Sequence, residues 1–163
     1  MKNTFTPWFS RWIIGLYGGL LIFLGILMVG VPLVAAMNVF ATTLFVGVYV
    51  AVMLLIIFIL YRASNMTFTV TRDTLFIRGI FNTNVVPLKT ITSVQKTPTP
   101  FGFRLFGASF LGGLYHLPGI GRTWVAMGNF EDGVLITTKQ KKHFFITPQQ
   151  PLAFINIVKK NMR

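Results

Sequence analysis

Cysteine is absent from this chain, acids number only three, histidines two, and not one Lys, Arg, Asp or Glu occurs between Arg11 and Arg62. Each shortage removes a class of function. Without cysteine there are no disulfides, no thiolate metal sites and no cysteine nucleophiles. Acid–base catalysis needs titratable groups that converge, and Asp73, Glu131 and Asp132 read as turn residues, the ordinary structural use of acids near glycine. His116 and His143 share no metal-ligand spacing with each other or with a carboxylate. The segment "GLYHLPGIG" lacks the Lys-Ser/Thr ending of a phosphate loop. The expectation is therefore a chain that is not an enzyme, with no catalytic residue, no metal and no cofactor.

The uncharged stretch is the most informative feature. Apolar runs of about 18 or more residues are the mark of membrane-spanning helices. Two fit, at residues 12–31 and 40–61, leaving only Pro32 to Asn38 for a connection. They read as a tight transmembrane hairpin with both ends on one side. A cleaved signal peptide is the alternative for the first, given Lys2 and Arg11 before it and Val34-Ala35-Ala36 after it. Its apolar run exceeds the roughly 7 to 15 residues of a signal core, and a second span follows at once. Lys2, Arg11 and Arg62 flank the spans on one side and the short loop carries no cation. The positive-inside rule then places both termini in the cytoplasm.

Past residue 63 the composition changes to that of a water-facing domain, so the expected division is residues 1–63 for the N-terminal segment and spans, and 64–163 for the domain. "MTFTVTRDTLFIRGI" alternates on both sides of Thr71-Arg72-Asp73, as two strands around a turn do. "NVVPLKTITSVQK" alternates again, with Val86, Leu88, Ile91 and Val94 inward and Pro87 marking a strand start or an edge. Further strands are expected around Glu131-Asp132-Gly133, read as a hairpin turn, and around Lys139 to Lys142. A closing helix is expected with Thr147 as N-cap, Pro148 in its first turn, and Leu152, Phe154 or Ile155, and Val158 on its inner face. Lys159, Lys160 and Arg163 then complement the helix dipole in the last turn. The fold class is a membrane-anchored α+β protein: the helical hairpin, then a bent antiparallel sheet or small barrel closed by a C-terminal helix.

These pieces in this order resemble a family, the bacterial pleckstrin-homology-like (PH-like) domains found on small membrane proteins. The resemblance runs from about Thr67 to Val158, on "VTRDTLFIRGIF", "VPLKTITSV", "FRLFGASFLGGLYHLPGIGRTWVAMG" and "VLITTKQKKHFFITPQQPLAFINIV". Thr147, Pro148, Pro151 and Phe154 look like the family's helix start. The resemblance implies a seven-stranded bent sheet capped by a helix, and a binding scaffold with no reaction attached.

Three sets of residues are candidates for function. The domain after Arg62 carries twelve Lys and Arg against three acids, within a net charge of +12 for the chain. Lys139, Lys141 and Lys142, with Arg104 and Arg122, are candidate contacts for anionic lipid headgroups, each cation near such a surface contributing about 1 kcal/mol. Nucleic acid is the less favoured partner of this excess, since a tethered domain meets membrane lipids first. Phe101, Phe103, Phe106, Phe110, Leu111 and Tyr115, in a glycine- and aromatic-rich segment at residues 97–121, either fill the domain core and contact a protein partner or a second copy, the favoured reading, or dip into the bilayer interface. Gly15 and Gly19 form a small-xxx-small pair for helix packing, within the hairpin or between copies. The reading is a non-enzymatic scaffold in a bacterial inner membrane, docking its domain onto a membrane-complex partner or its own copies. Anionic-phospholipid recognition or lipid handling is the alternative, and a transporter or channel subunit a third.

Overall fold

The computed structural model describes residues 2–100, 102–109 and 111–162. It divides into two compact units, residues 11–61 and a second made of the first ten residues with everything from Arg62 onward.

The first unit is a pair of helices, α1 (Arg11–Val34) and α2 (Val39–Ser64). At 1.5 Å per residue they are about 36 and 39 Å long, against about 30 Å of bilayer hydrocarbon. Both are long and apolar enough to cross a membrane. The connection is shorter than the sequence indicates, because α1 continues through Pro32 into its last turn. Ala36 adopts a left-handed φ of 46° to reverse the chain, and the Asn38 side-chain carbonyl accepts the Ala41 amide at 2.8 Å to cap α2.

The second unit holds ten strands among the described residues and one helix. One sheet has the order β1-β2-β3-β4, with β1 (Asn3–Phe5), β2 (Thr67–Val70), β3 (Thr74–Arg78) and β4 (Thr83–Pro87). The other has the order β5-β9-β10-β8-β7-β6, with β5 (Ile91–Pro98), β6 (Phe103–Ser109), β7 (Gly112–Leu117), β8 (Gly121–Ala126), β9 (Asp132–Thr138) and β10 (His143–Ile146). Helix α3 (Pro151–Asn161) closes the domain with Phe154, Ile155 and Val158 buried. The core between the layers is made by alternate strand residues, among them Phe68, Leu75, Ile136 and Phe145, all nearly without exposure. Val86, Leu88, Ile91 and Val94 point inward as their alternation requires, but a 3-10 turn at Leu88–Thr90 breaks them into two strands of different sheets.

Residues 2–10, which the sequence groups with the spans, are knitted into the domain. Strand β1 pairs antiparallel with β2, Asn3 opposite Val70 and Phe5 opposite Phe68. The Phe5 ring meets Phe154 edge-on at 5.3 Å, and the Trp8 and Ser10 amides donate to the Thr147 and Gly128 carbonyls at 3.1 and 3.0 Å. Gly128 has no room for a side chain, since a Cβ there would lie 2.6 Å from the Trp8 carbonyl oxygen.

Three sequence readings are corrected. Glu131 to Gly133 is not a hairpin turn, because β10 lies between β8 and β9, parallel to the first and antiparallel to the second. The Asn129 side chain accepts the Glu131 amide instead, and Gly133 is required because a Cβ would run into the Phe145 ring. Thr147 does not cap α3. Its hydroxyl accepts the Gly128 amide at 2.7 Å, while Gln150 holds the N-cap position and Pro151 opens the helix. Leu152 is consequently on the outer face, 66% exposed.

Candidate functional site

Strands that alternate in direction deliver their turns to two ends of the domain. At one end lie Ser10 and Arg62, where the chain leaves for α1 and returns from α2. The Arg62 guanidinium holds this end by donating from Nε to the Ile80 carbonyl at 2.8 Å, and the β3–β4 turn and residues 127–131 are there too. At the other end the β2–β3 turn, the 3-10 turn and the β9–β10 turn converge, tied by Leu88 donating to the Asp73 carbonyl and Lys139 to the Thr90 carbonyl, each at 2.8 Å.

The far end is where the cations gather. Arg72 projects from the β2–β3 turn, Lys89 from the 3-10 turn, and Lys139, Lys141 and Lys142 from the β9–β10 turn, all exposed. Lys2 precedes β1 on that side, and Arg122 stands one residue before Thr123, the register partner of His143. Lys159 and Lys160 arrive there at the last turn of α3. Asp73 is the acid in this group. Three clefts run around the end and share residues: Arg72, Lys89 and Met162 line one, Lys159, Lys160 and Met162 a second. The third, about 220 Å³, lies where β4 faces Trp124 and Phe144, with Gln140 and Lys142 at its mouth. The other two acids are at the opposite end, where Asp132 pairs with Lys96 at 2.6 Å on an exposed surface.

Four of the five residues picked as headgroup contacts, Arg122, Lys139, Lys141 and Lys142, thus share one end. Arg104 is level with Thr123 and His143 through the register, but stands two strands beyond β8 at the sheet edge. It lies on the edge strand β6 and lines an open groove with Phe81, Leu105, Phe106 and Gly107. The sequence did not single out Arg72, Lys2 or the α3 lysines for this role, because nothing local marks them as neighbours.

The apolar candidates divide in two. Leu111 and Tyr115 are buried in the domain and present no surface to a partner. Phe103 and Phe106 are 78% and 72% exposed on β6, while Phe101 and Phe110 lie outside the described residues. The glycine-rich segment is a hairpin of β6 and β7 rather than a loop, with register shifts on either side of Phe106. Gly107 and Gly113 take φ of 133° and 142° to let the two backbones approach there. Neither Gly15 nor Gly19 is packed: a Cβ at either would meet nothing within 4 Å.

His116 is exposed on β7, and the His143 ring on β10 has its Nδ1 3.2 Å from the Thr137 hydroxyl. Among the described residues no three His, Asp or Glu side chains are grouped so as to hold a metal.

Residues 66–162 match the family model of the bacterial PH domain, which covers more than half of the chain. The chain belongs to the bacterial PH domain family. In this PH domain the match begins at Met66, so β1 and the arm that carries it lie outside the matched residues. Neither a curated protein nor a solved structure matches the chain.

Proposed function

We propose that the chain is a membrane-anchored, non-enzymatic docking module that offers the basic end of its PH domain to an acidic protein partner. The gathering of nine cations around Asp73 carries this reading: Lys2, Arg72, Lys89, Arg122, Lys139, Lys141, Lys142, Lys159 and Lys160. Binding rather than catalysis is favoured by the dispersal of the titratable groups, with Asp73 at one end, Glu131 and Asp132 at the other, and the two histidines on separate strands. The positive-inside bias favours a bacterial inner membrane with both termini in the cytoplasm.

A protein partner is favoured over the anchoring membrane's own headgroups by distance. The eight residues of β5 run from one end of the domain to the other, roughly 25 Å at about 3.3 Å per residue. The Debye length at physiological salt is about 8 Å. The lysine turn is thus about three screening lengths from Ser10 and Arg62, the residues through which the chain passes to the spans.

The test is mass spectrometry of the tagged full chain extracted in mild detergent at native expression, beside the variant Lys139→Glu/Lys141→Glu/Lys142→Glu. A stoichiometric acidic protein that is lost from the variant, and that dissociates as salt is raised, is the expected result. A partner retained by the variant, or a particle holding this chain and phospholipid alone, would overturn it.

A further inference from the structure

The opposite end of the domain carries a different surface. Phe81 in the β3–β4 turn is 49% exposed, and beside it Leu105 and Phe106, mid-strand on β6 with Phe106 level with Leu114 and Trp124, are 51% and 72% exposed. The three line one open groove of about 710 Å³. Phe130, in the loop after β8, and Trp8, at the end of the arm, are 53% and 45% exposed at the same end. Soluble domains seldom leave several large aromatic and aliphatic side chains uncovered together.

What covers them follows from where the chain leaves the domain. Trp8 is two residues from Ser10, whose amide is fixed to Gly128, and Phe81 is next to Ile80, whose carbonyl is fixed to Arg62. Arg11 and Arg62 are the last charged residues before fifty uncharged ones. The aromatic end is thereby tethered, through residues held rigidly in the domain, within a residue or two of the apolar segments. Tryptophan is enriched at the headgroup level of bilayers, and phenylalanine and leucine are among the side chains that interfacial segments bury at the headgroup–acyl boundary.

A second copy adding to the β6 edge is disfavoured by the edge itself. Its two register shifts and the positive φ of Gly107 bend the strand and interrupt the row of groups a neighbour would pair with.

We infer that Trp8, Phe81, Leu105, Phe106 and Phe130 form a rim that inserts into the interfacial zone of the bilayer the chain is anchored in. The charges of this end are mixed: Arg62, Arg78 and, in the groove itself, Arg104 stand with Glu131 and Asp132, the last already paired with Lys96. Insertion is driven by apolar area and depends on salt less than binding at the basic end does.

The absence of cysteine makes the test direct. A nitroxide is placed on Phe106→Cys, on Phe81→Cys, or on Lys141→Cys at the basic end, each in the full chain in lipid nanodiscs. Collision rates with oxygen, which partitions into lipid, and with a water-soluble nickel chelate are then compared. The rim predicts that oxygen exceeds the chelate at 81 and 106, with the order reversed at 141, and that the order at 81 and 106 persists in 0.5 M salt. Free collision with the chelate at 81 and 106 would overturn the inference by placing the groove in water. Exclusion of both quenchers with dipolar broadening between labels would overturn it in favour of a contact between copies.

Discussion

The substitution Phe5→Ala tests whether the N-terminal arm is a structural part of the domain. The Phe5 ring lies 5.3 Å from Phe154 at an interplanar angle of 79°, and Phe154 is fully buried. Trimming a mostly covered phenylalanine to alanine returns roughly 100 Å² of apolar surface to water, or about 2.5 kcal/mol at about 25 cal/mol per Å². Residual compactness of the detached state lowers this by about 10–40%, and the lost edge-to-face contact restores about 0.5–1 kcal/mol. The arm should therefore detach with about 2 to 3 kcal/mol less resistance. That corresponds to exchange roughly 30- to 150-fold faster at the β2 amides facing β1, read by hydrogen–deuterium exchange on the full chain in nanodiscs. Amides of Val134 to Ile136 on β9, which β1 does not touch, should keep their protection. Unchanged β2 protection would refute the docking of the arm. Equal loss at β9 would refute its being a separately opening unit.

Gly133→Ala should cost the domain about 3 kcal/mol, because the new Cβ meets both the Phe145 ring and the Ile146 carbonyl and neither can move freely; a fall in the denaturation midpoint measures it, and an unchanged midpoint would show that the contact relaxes. Lys96→Ala should change stability by less than about 0.5 kcal/mol, since its pair with Asp132 is about half exposed on both sides. Single cysteines at Lys2 and Lys141 should react with a membrane-impermeant maleimide from the same face of sealed vesicles, and one at Ala36 from the opposite face. Strands β1 and β2 share a sheet, so labelling of Lys2 and Lys141 from opposite faces would contradict the fold itself.

Much of the architecture is legible in local patterns. The two spans are visible from the missing charges alone, and the turns at Thr71 to Asp73 and Lys139 to Lys142 from period-two alternation on either side. What misleads is a residue whose reason lies far away in the chain. Asp132-Gly133 has the form of a hairpin turn, yet Gly133 is small because Phe145 needs the space. Thr147 has the form of a helix cap, yet its hydroxyl is committed to the Gly128 amide, nineteen positions earlier. The arm is the extreme case: β1 is three residues long, too short for periodicity to register, and its partner lies beyond both spans.

The candidate sites were legible only in pieces, for a related reason. Lys139, Lys141 and Lys142 are a cluster in sequence and could be picked out as one. Lys2, Arg72, Lys89, Arg122, Lys159 and Lys160 are scattered over nearly the whole chain, and they become neighbours only because antiparallel strands return every second turn to the same end. The same folding back carries Glu131 and Asp132 to the other end, where Trp8, Phe81 and Phe130 also arrive from three separate segments. Net charge, the quantity the sequence reports directly, is the sum over both ends and hides the division. A charge count alone points the cations at the anchoring bilayer. The strand register sends nine of them to the end of the domain away from Ser10 and Arg62, and gathers Trp8, Phe81 and Phe130 at the end that holds those two residues.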